Sequence, residues 1–212
     1  MTELHWLPTI ADWRPRLRAL GADPGKAVDP GKAWDEAVAL ANGRINFVLT
    51  NALDEASRRL FPTPPAGLAT KPVRLAVLGS STLTHLLPAI RVAGLRRGIW
   101  VEAYENDYGQ YLQELSDPDS ALYAFQPTAV LLAFDAHHLT AGVTAALDAA
   151  AADAQLTEIV AHVRETWTRA RDAFKAPILQ QAALPIHLPV LGSNEHRLPG
   201  SRVRFVARLN EA

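Results

Sequence analysis

Apolar residues recur at helical spacing in the first part of the chain. Residues 10–20 predict a short amphipathic helix, and residues 34–60 predict a longer helix with Gly43 as its weak point. Gly25, Pro30 and Gly31 interrupt the pattern between the two.

A change of pattern marks the end of this region. Residues 63–72 are rich in proline and predict a stiff connector. We therefore divide the chain into an N-terminal helical region at residues 1–62, a connector at 63–72 and a larger domain at 73–212.

The domain after the connector alternates short apolar runs with helical patterns. A long alanine-rich helix is expected at residues 140–174, and the final residues predict another helix. This order is typical of βαβ units and predicts an α/β fold of three α/β/α layers around a mainly parallel sheet. The four predicted strands are VRLAVLG, WVEAY, TAVLLAF and APILQQA.

The first strand leads into a polar turn. Gly79 is followed by Ser80, Ser81 and Thr82, and a helix is predicted over residues 82–97. The hydroxyl groups are therefore expected at the carboxyl end of the strand, where α/β proteins bind ligands and where the free N–H groups of a helix start can hold an anion. A plain helix N-cap is the alternative.

Composition excludes several classes of protein. The chain has 212 residues, of which 49% are hydrophobic, and its 21 basic and 22 acidic residues give no polyanion-binding charge, so we expect no nucleic-acid partner. It has no cysteine, no run long enough to span a membrane and no signal-peptide pattern at its N-terminus. A cytoplasmic protein without a cofactor is expected.

Acidic and histidine residues cluster after the third strand. Asp135, His137 and His138 are residue types that bind zinc or iron, although adjacent histidines usually point apart. Asp135 could instead cap the next segment or orient a histidine. Structural hydrogen bonding is the alternative role for both histidines.

The chain from about residue 73 resembles the SGNH, or GDSL-like, hydrolase fold. It is most similar to the N-terminal region of FkbH-like proteins, in which such a domain precedes a phosphatase-like domain of the HAD-IIIC type. Together the matching phrases cover most of residues 73–201. They are LAVLGSSTLTHLLP, ENDYGQYLQEL, SDPDSALYAFQPTAVLLAFDAHHL and LGSNEHRLPGS.

The resemblance implies roles for several residues. Ser81 matches the nucleophilic serine, and Ser80 stands where the family has an aspartate. Gly109 matches the oxyanion-hole glycine, although a turn glycine is an equal alternative. The substrate pocket would also include Gly79.

The chain departs from the hydrolase pattern at two places. Asp135 replaces an asparagine that donates to the oxyanion, and an ionised carboxylate only accepts hydrogen bonds. The C-terminal Asp-x-x-His motif has no match in its usual place. His196 is the best alternative base, with Asn194 as a possible donor, and His138 is a second candidate. A structural hydrogen-bonding role is the alternative for His196 too.

The resemblance also implies a function. FkbH-like proteins place a phosphorylated three-carbon acid on an acyl carrier protein as a glyceryl thioester, in polyketide biosynthesis. The HAD part performs the phosphate step, and its Asp-x-Asp-x-Thr motif does not occur in these 212 residues. A binding or docking domain with a degenerate hydrolase site is therefore expected, whose partner is an acyl carrier protein or a HAD-type domain.

An active acyl hydrolase or acyltransferase using Ser81 is the alternative function. For the docking role, the basic residues Arg91, Arg96 and Arg97 are a candidate contact for an acidic carrier protein, with a solvated helix face as the other interpretation.

The fold pattern raises one expectation about association. An SGNH sheet usually gains a fifth strand after the helix in which this chain ends. The resemblance therefore implies that the domain at residues 73–212 is truncated at its C-terminus, which would expose a sheet edge or an apolar helix face and so favour a homodimer or a tightly docked N-terminal region.

Overall fold

The computed structural model describes residues 5–21 and 29–212, which form two compact units. One unit contains the described residues up to Arg74 together with Leu83–Ala103. The other contains Leu75–Thr82 and Tyr104–Ala212. The predicted break at Gly25 lies outside the described residues.

A four-stranded parallel sheet is the centre of the α/β fold, as the sequence predicted. The strand order is β2-β1-β3-β4, and β1 pairs in parallel with β3, which pairs in parallel with β4. All four strands predicted from the sequence are confirmed. The strands are β1 Val73–Gly79, β2 Val101–Glu105, β3 Ala129–Ala133 and β4 Ile178–Gln180.

The central strands are apolar because helices cover them. Leu78 of β1 and Val130 and Leu132 of β3 are fully buried in one core cluster, which continues into the helices that follow. The register pairs Gly79 with Ala133, so β1 and β3 end side by side. This places the residues after Gly79 beside those after Ala133.

Within the described residues, three helices precede the sheet: α1 Trp13–Gly21, α2 Pro30–Ala41 and α3 Phe47–Leu60. The single helix predicted over residues 34–60 was wrong, because it is divided into α2 and α3. Asn46 begins α3 by accepting a hydrogen bond from Leu49 N–H at 3.0 Å. A Cβ on Gly43 would lie 2.8 Å from Ile10 Cδ1. The Ile10 side chain therefore packs against the backbone of the turn between α2 and α3, where a residue larger than glycine would clash.

The helix after β1 starts later than predicted. Residues Thr84–Leu86 form a 3₁₀ turn, and α4 occupies Leu87–Leu95. Pro88 in the first turn of α4 explains the late start, because a proline in the helix interior would lose a hydrogen bond and clash with the preceding turn. Ser80 and Ser81 therefore do not cap this helix.

α4 packs with the N-terminal helices in the first unit. Val92 and Leu95 of α4, with Trp100, share one buried cluster with Leu40 and Leu53. These contacts extend the first unit beyond the proline-rich connector.

The alanine-rich helix also starts later than predicted. Asp148 caps it by accepting from Ala151 N–H at 2.8 Å, and the preceding residues 140–148 form turns rather than the expected helical start. None of the helices in the described ranges has the length and apolar character needed to cross a bilayer. The remaining helices are α5 Tyr111–Ser116, α6 Ala121–Phe125, α7 Ala136–Leu139, α8 Ala149–Phe174 and α9 Arg202–Glu211.

Candidate functional site

Ser80 and Asp135 meet at the carboxyl ends of β1 and β3. The Ser80 hydroxyl donates to Asp135 Oδ2 at 2.7 Å and accepts from the Asp135 backbone N–H at 2.9 Å. Ser80 is buried and Asp135 is half-buried. The two residues thus hold the two strand ends together through reciprocal hydrogen bonds.

Asp135 is also the N-cap of α7. Its Oδ1 accepts from His138 N–H at 3.0 Å. Burial acts to raise the pKa of Asp135, but the hydrogen bonds from Ser80 and from the His138 and His137 backbone outweigh it and hold the pKa below its usual value. The capping role considered for Asp135 is confirmed.

Asn106 joins this edge from the end of β2. Its Oδ1 accepts from Gly79 N–H at 2.7 Å, while its Nδ2 donates to Gly79 C=O at 3.2 Å and to Asp107 C=O at 2.6 Å. The buried amide therefore satisfies both backbone groups of Gly79. Sequence reasoning missed Asn106, although an asparagine directly after a strand was a usable signal.

Two histidines lie on either side of the buried hydroxyl of Tyr111. Tyr111 Oη is 3.1 Å from His138 Nε2 and 3.0 Å from His162 Nε2, with His162 on α8. The hydroxyl has one hydrogen, so it donates to one imidazole and accepts from the other, and the two rings hold different protonation patterns. No motif in the sequence linked His162 to His138.

The surroundings shift the pKa values of Tyr111 and His138. Burial raises the pKa of Tyr111. Burial also lowers the pKa of His138, and the neighbouring His162 lowers it further while Asp135 opposes the shift. A cleft of about 250 Å³ beside the two imidazoles is also lined by Gln155 and Glu158.

Ser81 and Gly109 lie near this edge without a hydrogen-bonded catalytic partner. Ser81 is half-buried, and no hydrogen bond joins it to a histidine in the described part of the chain. Gly109 is exposed and has a φ of +71°, a conformation that favours glycine in a turn. The roles that the resemblance implied for both residues stay predictions.

The structure brings Gly79, Ser80, Asp135 and His138 together but does not link Asn194 or His196 to them. Asn194 ends a 3₁₀ turn, Gly192–Asn194, and both residues are exposed. Their neighbour Glu195 is buried and accepts from Leu191 N–H at 2.8 Å and from the Ser201 hydroxyl. The hydrogen bond from Ser201 lowers the pKa of Glu195 most, and the one from Leu191 N–H lowers it further.

The adjacent histidines point to different partners. His138 reaches Tyr111, whereas the ring of His137 packs edge-on against His187 with a centroid distance of 4.9 Å. Among the residues that the structure describes, no three His, Asp or Glu side chains are arranged to hold a metal ion.

The arginine cluster is engaged inside the first unit. Arg91 pairs with the buried carboxylate of Asp54 at 2.9 Å, and Arg96 Nε donates to Ala41 C=O at 2.6 Å. Arg97 is exposed. A fully solvated helix face does not describe Arg91 and Arg96, because both side chains are half-buried and stabilise helix packing.

The hydrogen bonding at the strand ends does not activate Ser80 as a nucleophile. The only hydroxyl held at the strand ends by hydrogen bonds, among the described residues, is that of Ser80, and its proton faces a carboxylate of lowered pKa. Such a carboxylate is a weak base and repels a developing oxyanion.

Comparison with known proteins identifies the family. The family model described as FkbH, N-terminal domain, matches residues 74–212. The chain belongs to the FkbH N-terminal domain family. The FkbH part of the predicted resemblance is thereby confirmed.

A solved structure supports the fold of this FkbH domain. The crystal structure of the N-terminal part of the protein BF1531 from Bacteroides fragilis, containing a phosphatase domain complexed with Mg, has a TM-score of 0.54 and 20% identity. The match covers 68% of this chain and only 37% of the BF1531 chain, so it shows a shared fold alone. No curated protein matches the chain.

Proposed function

We propose that this chain is the N-terminal domain of an FkbH-like protein and acts in glyceryl thioester formation on an acyl carrier protein, in cytoplasmic polyketide-type biosynthesis. Its part is to bind or dock a partner, and its SGNH-like hydrolase site is degenerate. Family membership supports the setting.

One observation carries the proposal: among the described residues, neither serine at the end of β1 is hydrogen-bonded to a histidine that could act as its general base. The Ser80 hydroxyl donates a hydrogen bond to Asp135, a carboxylate whose lowered pKa makes it a weak base, and no imidazole is hydrogen-bonded to Ser81 in the described residues. A serine hydroxyl becomes a nucleophile only when a neighbouring base takes its proton. His138, the candidate base nearest in the fold to Asp135, directs Nε2 at Tyr111 instead.

The partner classes follow from the family and from the solved relative. The relative contains a phosphatase domain, which supports a HAD-type domain as one partner of this chain. An acyl carrier protein is the second partner. The engaged state of Arg91 and Arg96 argues that this partner binds elsewhere than at the arginine cluster.

A fluorophosphonate probe tests the loss of hydrolase activity. We expect no covalent labelling of Ser81 by intact mass spectrometry under conditions that fully label an active serine hydrolase. Labelling that Ser81→Ala abolishes and Thr82→Ala preserves would support the alternative, an active acyl hydrolase or acyltransferase. Thr82 is the matched control because it is an exposed neighbouring hydroxyl.

Isothermal titration calorimetry tests the docking role. The chain is titrated with an acyl carrier protein bearing a glyceryl thioester, and separately with a HAD-type phosphatase domain of an FkbH-like protein. Saturable binding to at least one is expected, and binding to the acidic carrier should weaken as salt rises. Binding to neither partner would refute the docking role, even if the fluorophosphonate probe leaves Ser81 unlabelled.

A further inference from the structure

A pocket of about 550 Å³ lies in the second unit, away from the Ser80 and Tyr111 hydrogen bonds. It is formed by His137 of α7, the residues around Val143, the segment 186–191 and the start of α9. Its volume is in the range of pockets that bind small organic molecules. Neither the family match nor the solved relative assigns a ligand to it.

A guanidinium group lies at one side of this pocket. Arg202 Nε donates to Val143 C=O at 2.9 Å, which fixes the plane of the group. Its two terminal nitrogens make no hydrogen bond or ion pair within the described chain. An anchored arginine with free terminal N–H groups suits a planar carboxylate, which it can bind through two parallel hydrogen bonds.

His187 adds a second polar group, and its ring is also anchored. The Thr140 hydroxyl donates to Ala136 C=O at 2.6 Å, so its oxygen accepts from His187 Nε2 at 2.9 Å. Burial, together with the charges of His137 and Arg202, lowers the pKa of His187 against the opposing Ala136 carbonyl. Arg202 is therefore the fixed positive charge at neutral pH.

The rest of the pocket is largely apolar and unusually exposed. Ile186, Leu188 and Val190 occupy alternate positions of an irregular segment that lines the pocket, and they are 45%, 79% and 82% exposed. Exposed aliphatic side chains of this size, grouped on one wall of a pocket, are typical of a surface that a ligand covers. The wall would bind an aliphatic body.

Glu195 is the one carboxylate among the lining residues. Its two oxygens accept hydrogen bonds from Leu191 N–H and the Ser201 hydroxyl, and its negative charge offsets part of the positive charge of Arg202. A singly charged head group fits this balance better than a doubly charged phosphate monoester.

We propose that this pocket binds a monocarboxylic organic acid, with the carboxylate at the Arg202 guanidinium and an aliphatic body against Ile186, Leu188 and Val190. The inference does not rest on the docking function, since it concerns different residues and a small ligand. A chain that binds no carrier protein can still bind the acid.

Octanoate is the probe, and octanamide is its uncharged counterpart. We expect saturable octanoate binding by NMR titration, with shifts of the His137 and His187 ring protons, and at least tenfold weaker binding of octanamide. Acetate, which lacks the aliphatic body, should also bind at least tenfold more weakly. Equal binding of octanoate and octanamide, or no octanoate binding at millimolar concentration, would overturn the proposal without any variant.

Charge variants locate the head group. Arg202→Gln should weaken octanoate binding about tenfold, whereas Arg197→Gln removes the same charge outside the pocket and should leave it unchanged. Glu195→Gln should strengthen binding. Unchanged affinity in a folded Arg202→Gln protein, or tighter binding of octyl phosphate than of octanoate, would refute the assigned head group.

Discussion

Ser80 and Asp135 show how two side chains join the carboxyl ends of two parallel strands. Each accepts a hydrogen bond from the other residue, and Asp135 also caps α7. The sequence identified both positions correctly as strand-end residues. It could not show that the hydroxyl and carboxylate bind each other, because the residues are 55 positions apart.

Ser80→Ala should lower the free energy of unfolding by ~1–2 kcal/mol, because a buried hydroxyl that bonds a carboxylate is lost. Urea unfolding measures the change. Ser81→Ala, at a half-buried hydroxyl without such a bond, is the matched control and should change stability by less than about 0.5 kcal/mol. Equal losses in the two variants would contradict the role assigned to Ser80.

The stability contributed through Asp135 should depend on pH. The pKa of Asp135 in the folded chain lies below the value of about 3.9 expected when unfolded, so its ionised form stabilises the fold above that value. This stability is lost as the pH falls through the folded pKa. The difference in unfolding free energy between wild type and Ser80→Ala should therefore be largest near pH 6 and shrink below about pH 4. Urea unfolding curves recorded at each pH measure it. A constant difference would argue against an ionised Asp135.

Tyr111→Phe should destabilise the chain by ~1–2 kcal/mol, because His138 and His162 both lose the hydroxyl that they share. The ring NMR titration of His138 should also move, since the hydroxyl that contacts its Nε2 disappears. Tyr108→Phe is the control, because Tyr108 is 76% exposed. An unchanged His138 titration and unchanged stability in Tyr111→Phe would contradict the role assigned to the hydroxyl.

At the scale of elements, strands were predicted more accurately than helix starts. Strands of a sheet that helices cover are buried and therefore apolar, so a short apolar run in the sequence is enough to locate each one. Helix starts depend on single capping residues and prolines, as Asp148 and Pro88 show. An apolar periodicity continues across such residues and therefore overestimates helix length.

Asp148→Ala should lower the unfolding free energy by about 1 kcal/mol, because α8 loses its capping acceptor. Asp148→Asn keeps an acceptor oxygen and should lose much less. Thermal and urea unfolding of the two variants provide the measurement. A helix that truly began near residue 140 would leave both variants as stable as wild type.

At the scale of the whole molecule, the N-terminal helices and α4 share one buried cluster. Leu40, Val92 and Trp100 all lie in it, although the sequence separates them by the connector. The boundaries at residues 62 and 72 stay a prediction, as does the homodimer.

Removing residues 1–62 tests that division. We expect the shortened chain to expose Val92, Leu95 and Trp100, bind a hydrophobic dye and aggregate, because their apolar partners are gone. In the full chain, Leu40→Ala should cost ~2–5 kcal/mol, and Val48→Ala, at a site 64% exposed, should cost little. A monomeric shortened chain with buried Trp100 fluorescence would support an independent domain at residues 73–212.

The sequence by itself determined the α/β class, the four strands and the placement of Ser80, Ser81 and Asp135 at strand ends, because burial and strand alternation are local patterns. Tertiary structure decided which side chains meet. It paired Ser80 with Asp135, brought Asn106 to Gly79 and joined Tyr111 to histidines from two helices. These contacts depend on strand order and helix packing, which no local pattern encodes.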